Sequence, residues 1–147
     1  MQLLLVVVAV LAGALLPIQA GVNTQAAKAL QSGTQASLFN FLIGSIALGA
    51  VCVALRTPLP TSGRLAAIPW PAYFGGVIGA AFVAAAVFLS PRLGVLLFLA
   101  AAILGQMIAS ICIDHFGWLG LDARIATPGK IIGVALVLVG VGCVTRF

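Results

Sequence analysis

Residues 93–113 read LGVLLFLAAAILGQMIASICI, without a single charge, and run straight into Asp114 and His115. About 20 such residues form a helix long enough to cross the roughly 30 Å hydrocarbon core of a bilayer. The stretch is interrupted by one amide, Gln106, and one hydroxyl, Ser110. With Asp114 they follow at i, i+4 and i+8, so on an α-helix they share one slowly drifting face. Ala101, Gly105 and Ala109 form a small-residue ridge beside them, the pattern that lets another helix backbone approach closely.

The rest of the chain explains why the stretch belongs in lipid. Of 147 residues 63% are hydrophobic, whereas only seven are basic and two acidic. A soluble domain carries roughly 25% charged residues, because something must face water. The 6% found here cannot cover a 14.9 kDa globule. The net charge of +5 is scattered rather than clustered, which argues against nucleic acid and against a polybasic lipid patch. Single Lys and Arg residues suit helix-end anchors.

Four further apolar runs match the first, so the spacing predicts an all-α membrane protein with five transmembrane helices. They cover about 3–22, 37–55, 71–89, 93–113 and 129–145, in a single integral membrane domain over 1–147. Strands are excluded, because the runs are too long and lack the period-two alternation of an outer-membrane barrel. The N-terminal run lacks the basic start of a signal peptide and reads as a retained first helix. Residues 23–36 read either as a polar loop or as a helical extension. RTPLPTSGR at 56–64, SPR at 90–92 and HFGWLGLDARIATPGK at 115–130 punctuate the helices. Trp70, Tyr73 and Trp118 fall beside the boundaries, where an interfacial aromatic belt belongs.

Five spans place the termini on opposite faces. Arg56, Arg64, Arg124 and Lys130 then lie on the N-terminal side, and Lys28, Arg92 and Arg146 on the other. Orientation normally follows a clear excess of Lys and Arg on the cytoplasmic face. Four against three is nearly balanced, mildly favouring the N-terminus inside, and it permits insertion in both orientations.

Polar residues recur at helical spacing elsewhere. Gln19 and Asn23 follow Pro17 in the first helix, and Ser37, Asn40 and Gly44 align in the second. Gly75 with Gly79, and Gly129 with Gly133, stand in GxxxG spacing, so with Gly105 they are the expected helix-packing glycines. An amide in hydrocarbon without a partner costs several kcal/mol. Gln19, Asn23, Asn40, Gln106 and Ser110 therefore either bond between helices or line a shared polar cavity that binds substrate. A helix broken at Pro17 would add free carbonyls to that cavity. Asp114 and His115, at a helix end where ionisable groups cost less, fix the following turn, or couple and gate, or act in catalysis with further groups from a partner.

No catalytic or metal-ligand set is spaced along the chain, so neither an enzyme nor a metal or cofactor is expected. Cys52, Cys112 and Cys143 read as small apolar packing residues. There is no Glu, and neither Asp lies mid-membrane, which argues against proton-for-cation exchange through a buried carboxylate.

Taken in order, Gly13, Gln19 and Asn23; Asn40, Phe41 and Gly44; Gly75, Gly76, Gly79 and Ala80; Pro91 and Gly94; then Gly105–Gln106 and Asp114–His115–Phe116–Gly117; and finally Gly133 and Gly140 form a pattern. It resembles the YdcZ family of bacterial inner-membrane proteins, within the drug/metabolite transporter superfamily, over nearly the whole chain. Lys130 departs from it, standing where an Arg is expected. The resemblance implies a multi-pass inner-membrane exporter of a small molecule. It further implies one half of an inverted-repeat, drug/metabolite transporter-like fold, completed by a second copy in an antiparallel homodimer or by a paralogue in a heterodimer. The alternative of a different class is a non-transporting subunit that binds a partner protein through its glycine-rich helix faces.

Overall fold

The computed structural model describes residues 2–146. Among them there is no strand. Six α-helices follow in order: α1 (Gln2–Leu30), α2 (Gly33–Ala54), a short α3 (Ser62–Ala66), α4 (Phe74–Leu93), α5 (Val95–Phe116) and α6 (Pro128–Arg146). A 3-10 turn at Trp70–Tyr73 leads into α4, and another at Trp118–Gly120 follows α5. All but α3 are long and apolar enough to cross a membrane, with 18-residue windows of mean hydropathy from 1.9 to 2.5. No more than 11% of any such window is buried inside the chain, so the surroundings of these helices are lipid or another protein surface.

The chain divides between Pro91 and Arg92 into two compact units. In the first, α1 and α2 form a tight hairpin. α1 runs past the expected boundary, so residues 23–30 are a helical extension. It ends where Gln31 turns left-handed at φ 52. The Ser32 amide then donates to the Ala27 carbonyl and the Gln31 amide to Lys28, closing the helix end. Ser32 at once caps α2, its hydroxyl accepting from the Gln35 amide at 3.2 Å. A residue that ends one helix and opens the next leaves no room for a loop.

Pro17 does not break α1 as the sequence reading expected. The helix continues through it, at the cost of one missing amide, so a single carbonyl, that of Gly13, loses its donor. SPR likewise fails to end α4, which carries Pro91 to Leu93. The break falls at Gly94, whose φ of 82 suits only glycine.

What the first unit buries is small or polar: Ala20, Asn23, Ala36, Ser37, Ala86 and Ser90, with Val87 the largest. Leu, Ile and Phe point outward instead. This inverts the rule for water-soluble proteins, as expected where lipid solvates the large side chains and small ones let backbones approach. Two helix hydroxyls satisfy themselves locally, whereas the buried Ser90 hydroxyl has no partner. Thr24 donates to the Ala20 carbonyl and Ser37 to that of Gly33, each at 2.9 Å.

Of the five glycines expected to pack helices, only Gly79 has a neighbour near its missing Cβ, the Phe41 ring at 3.7 Å. Gly75, Gly105, Gly129 and Gly133 face open space. The ridges are present, but the chain does not fill them itself. Close approach occurs at Gly33 instead, against Phe88 and Val87 of α4. Pairing Gly33 with Phe88 and Phe41 with Gly79 makes α2 and α4 antiparallel.

In the second unit α5 packs along α6. α5 stops at Gly117, left-handed at φ 61, where an added Cβ would come within 3.1 Å of the Leu121 carbonyl. The chain then doubles back over residues 118–127 to begin α6.

Candidate functional site

Each unit carries a groove lined by the polar residues its helices present. In the first unit Gln19 of α1 and Asn40 of α2 face the same hollow of about 210 Å³, with Ser45 and Gly44 beside them. The Asn40 amide nitrogen is buried there without a hydrogen-bond partner. An orphaned buried donor costs about 1–3 kcal/mol and is rare in native structures, so it marks a place where an acceptor belongs. Asn23 does not line this hollow; it is buried, with 4% of its surface exposed. One helical turn from Gln19, it packs where the sequence reading had it bind.

In the second unit the groove between α5 and α6 encloses about 410 Å³, within the range of about 300–1,000 Å³ usual for small-molecule sites. Gln106, Ser110 and Asp114 line it, so the face read from their spacing is the face that lines the cavity. Met107 and Val134 supply apolar wall, and Gly133, lacking a side chain, leaves the space open. Lys130, in the first turn of α6, completes it. Its Nζ stands 3.7 Å from Asp114 Oδ2, the only ion pair among the described residues.

The backbone of Asp114 is fixed from the loop. Its carbonyl accepts from the Arg124 amide at 2.7 Å and from the Gly117 amide at 3.4 Å. His115 does a similar service next door, its Nδ1 accepting from the Ala126 amide at 3.3 Å. That bond leaves the ring proton on Nε2. The ring lies edge-on to Phe116, which stacks on Trp118 at 5.2 Å between centroids. His115 thus fastens the returning loop, and its side chain is not among the groove's lining. Removing it by His115→Ala is expected to raise amide exchange at Ala126 several-fold, in line with about 0.5–1.5 kcal/mol for one hydrogen bond, while α5 and α6 keep their protection. Unchanged exchange at Ala126 would show the contact to be idle.

No group of three or more His, Cys, Asp or Glu side chains converges among the described residues. The three cysteines are free. The arrangement offers hydrogen bonds and one pair of opposite charges, which is the equipment of binding.

A family model described as "Putative inner membrane exporter, YdcZ" matches residues 4–143. The chain belongs to the YdcZ family. No curated protein and no solved structure matches it. Membership, with five apolar helices, makes this YdcZ-family chain a multi-pass inner-membrane protein, and the role described for its family is export. Some of the landmark residues line the two grooves. Gln19 and Asn40 belong to the first groove, and Gly105–Gln106 with Asp114 to α5 beside the second. Two features here lie beyond what residue spacing shows. Lys130 was noted as a departure but not as a groove residue, since nothing in the sequence pairs it with Asp114 across sixteen positions. The Gly33 contact with α4 falls within small residues at four-residue spacing, Ala29, Gly33 and Ser37, but that spacing does not say which helix packs on them.

Proposed function

We propose that this YdcZ-family protein is half of a transporter: two copies, or one copy and a paralogue, associate antiparallel and export a small polar organic solute by alternating access. Gln19, Asn40, Gln106 and Ser110 contact the solute, Asn23 supports the first groove from behind, and Asp114 and His115 gate at the loop. The observation that carries this reading is that Gln19, Gln106 and Ser110, all on membrane-spanning helices, are exposed by the single chain. An amide facing hydrocarbon costs roughly 2–7 kcal/mol. These groups therefore need a cover that their own units do not provide, and a further protein surface enclosing water provides it. The open ridges at Gly75, Gly105, Gly129 and Gly133 give that surface a way to come close. An odd number of spans with nearly balanced basic residues permits the cover to be an upside-down copy.

Thiol accessibility tests the enclosed water. In a background with Cys52, Cys112 and Cys143 replaced by alanine, Gln19→Cys, Asn40→Cys and Gln106→Cys are expected to react with a membrane-impermeant maleimide in intact membranes. Leu96→Cys, an exposed lipid-facing position, is expected to stay unlabelled. If all four remain unlabelled the bundle is dry, and the non-transporting subunit that uses its glycine faces for a partner protein becomes the better account.

A further inference from the structure

We infer that the α5–α6 groove selects solutes carrying both a positive and a negative charge: small zwitterions with an ammonium and a carboxylate or similar acid group. The inference deepens the transporter reading and rests on it for the solute's passage, but the selection itself belongs to this one groove.

Consider the mouth of the groove as a charge arrangement. Asp114 and Lys130 both line it, 3.7 Å apart, with 42% and 38% of their side-chain surface exposed. A closed charge-assisted hydrogen bond measures about 2.7–2.9 Å, so the pair is loose and reachable from the cavity. The two charges cancel, and a solute with a single charge finds no net attraction. It also does harm when it binds, because engaging one member of the pair leaves the other without its counter-ion. A zwitterion avoids that penalty. Its acid group takes Lys130, its ammonium takes Asp114, and four charges end in two pairs.

The helix ends reinforce the arrangement. Asp114 lies in the last turn of α5 (Val95–Phe116) and Lys130 in the first turn of α6 (Pro128–Arg146). A helix C-terminus is partially negative and an N-terminus partially positive, the latter with unpaired amides. The end of α5 therefore favours the ammonium side of the solute and the start of α6 its acid side. Beyond the mouth the groove is uncharged. Ser110 and Gln106 lie about 6 Å and 12 Å from Asp114 along α5, at 1.5 Å per residue, with Met107 and Val134 between the polar points. That profile fits a dipolar head on a short, neutral tail.

The test uses the protein in lipid nanodiscs and probes that differ chiefly in charge: L-norvaline and the smaller β-alanine as zwitterions, L-norvalinamide as the cation, N-acetyl-L-norvaline as the anion. At least one zwitterion is expected to bind about two- to fivefold more tightly than both single-charge analogues, the scale set by one lost partly exposed charge pair. Lys130→Gln is expected to shift preference toward norvalinamide and Asp114→Asn toward N-acetylnorvaline. Equal binding of a single-charge analogue by the unaltered protein, or no binding of either zwitterion, overturns the inference, and neither result depends on the variants folding. Proteoliposome flux separates this from the wider reading. Zwitterion binding without flux of any probe removes transport and leaves the selective groove; flux of a singly charged probe without zwitterion preference does the reverse.

Discussion

Proteoliposomes containing Gln106→Leu or Asn40→Leu are expected to lose saturable flux by about tenfold, for whichever probe the unaltered protein carries. The scale is one to two lost hydrogen bonds to the solute at about 0.5–1.5 kcal/mol each. Leucine is close to glutamine and asparagine in bulk and makes no hydrogen bond. It is also the better resident of a membrane helix, because no amide has to be hidden. Folding and dimer yield should therefore hold or improve while transport falls. The interhelical-bond account predicts the opposite split: each substitution would weaken assembly by roughly 0.6 kcal/mol and spare the flux. The Asn40 amide nitrogen, buried with no partner in the single chain, is a poor candidate for a bond already made. Intact saturable flux in both variants would remove these amides from the site.

The second large effect concerns stability. A Cβ added at Gly33 would come within 2.8 Å of Cε1 and Cζ of Phe88 and 3.1 Å of Val87. Phe88 is 46% exposed, so its ring end has somewhere to go, whereas Val87 is 4% exposed and does not. The series is therefore graded. Gly33→Ala displaces the ring and needs Val87 to give by only a few tenths of an ångström, so it should cost about 1 kcal/mol, whereas Gly33→Leu must move Val87 outright and should cost about 1–3 kcal/mol, the usual toll of overpacking. Thermal unfolding in detergent reads the difference. Adding Phe88→Ala to Gly33→Ala should return most of its loss, but should return little for Gly33→Leu. Equal stability of the unaltered chain and both single variants would mean that α2 and α4 do not meet there.

Some expectations failed in instructive ways. Pro17 and Pro91 look like helix breaks because each removes an amide donor, yet in lipid a helix that stops exposes several unpaired groups, and one that continues exposes a single carbonyl. Continuation wins at both. Gly94 and Gln31, by contrast, do end helices, through left-handed backbone that a proline cannot adopt. The polar segment at 23–30 stayed helical because the closing hydrogen bonds at Ala27 and Lys28 need a helix to end on.

Five membrane-crossing helices and the polar face of Gln106, Ser110 and Asp114 could be read from residue order alone. Both follow from local physics: the length of an apolar run against a bilayer, and the angle between side chains four apart. Pairing Lys130 with Asp114, leaving Asn40 without an acceptor, turning Asn23 inward and pressing α4 on Gly33 required the folded chain. These depend on how two helices rotate and slide against each other. Where most large side chains face outward, small residues and single contacts set that register, and the spacing of the small residues does not say which neighbour each ridge meets.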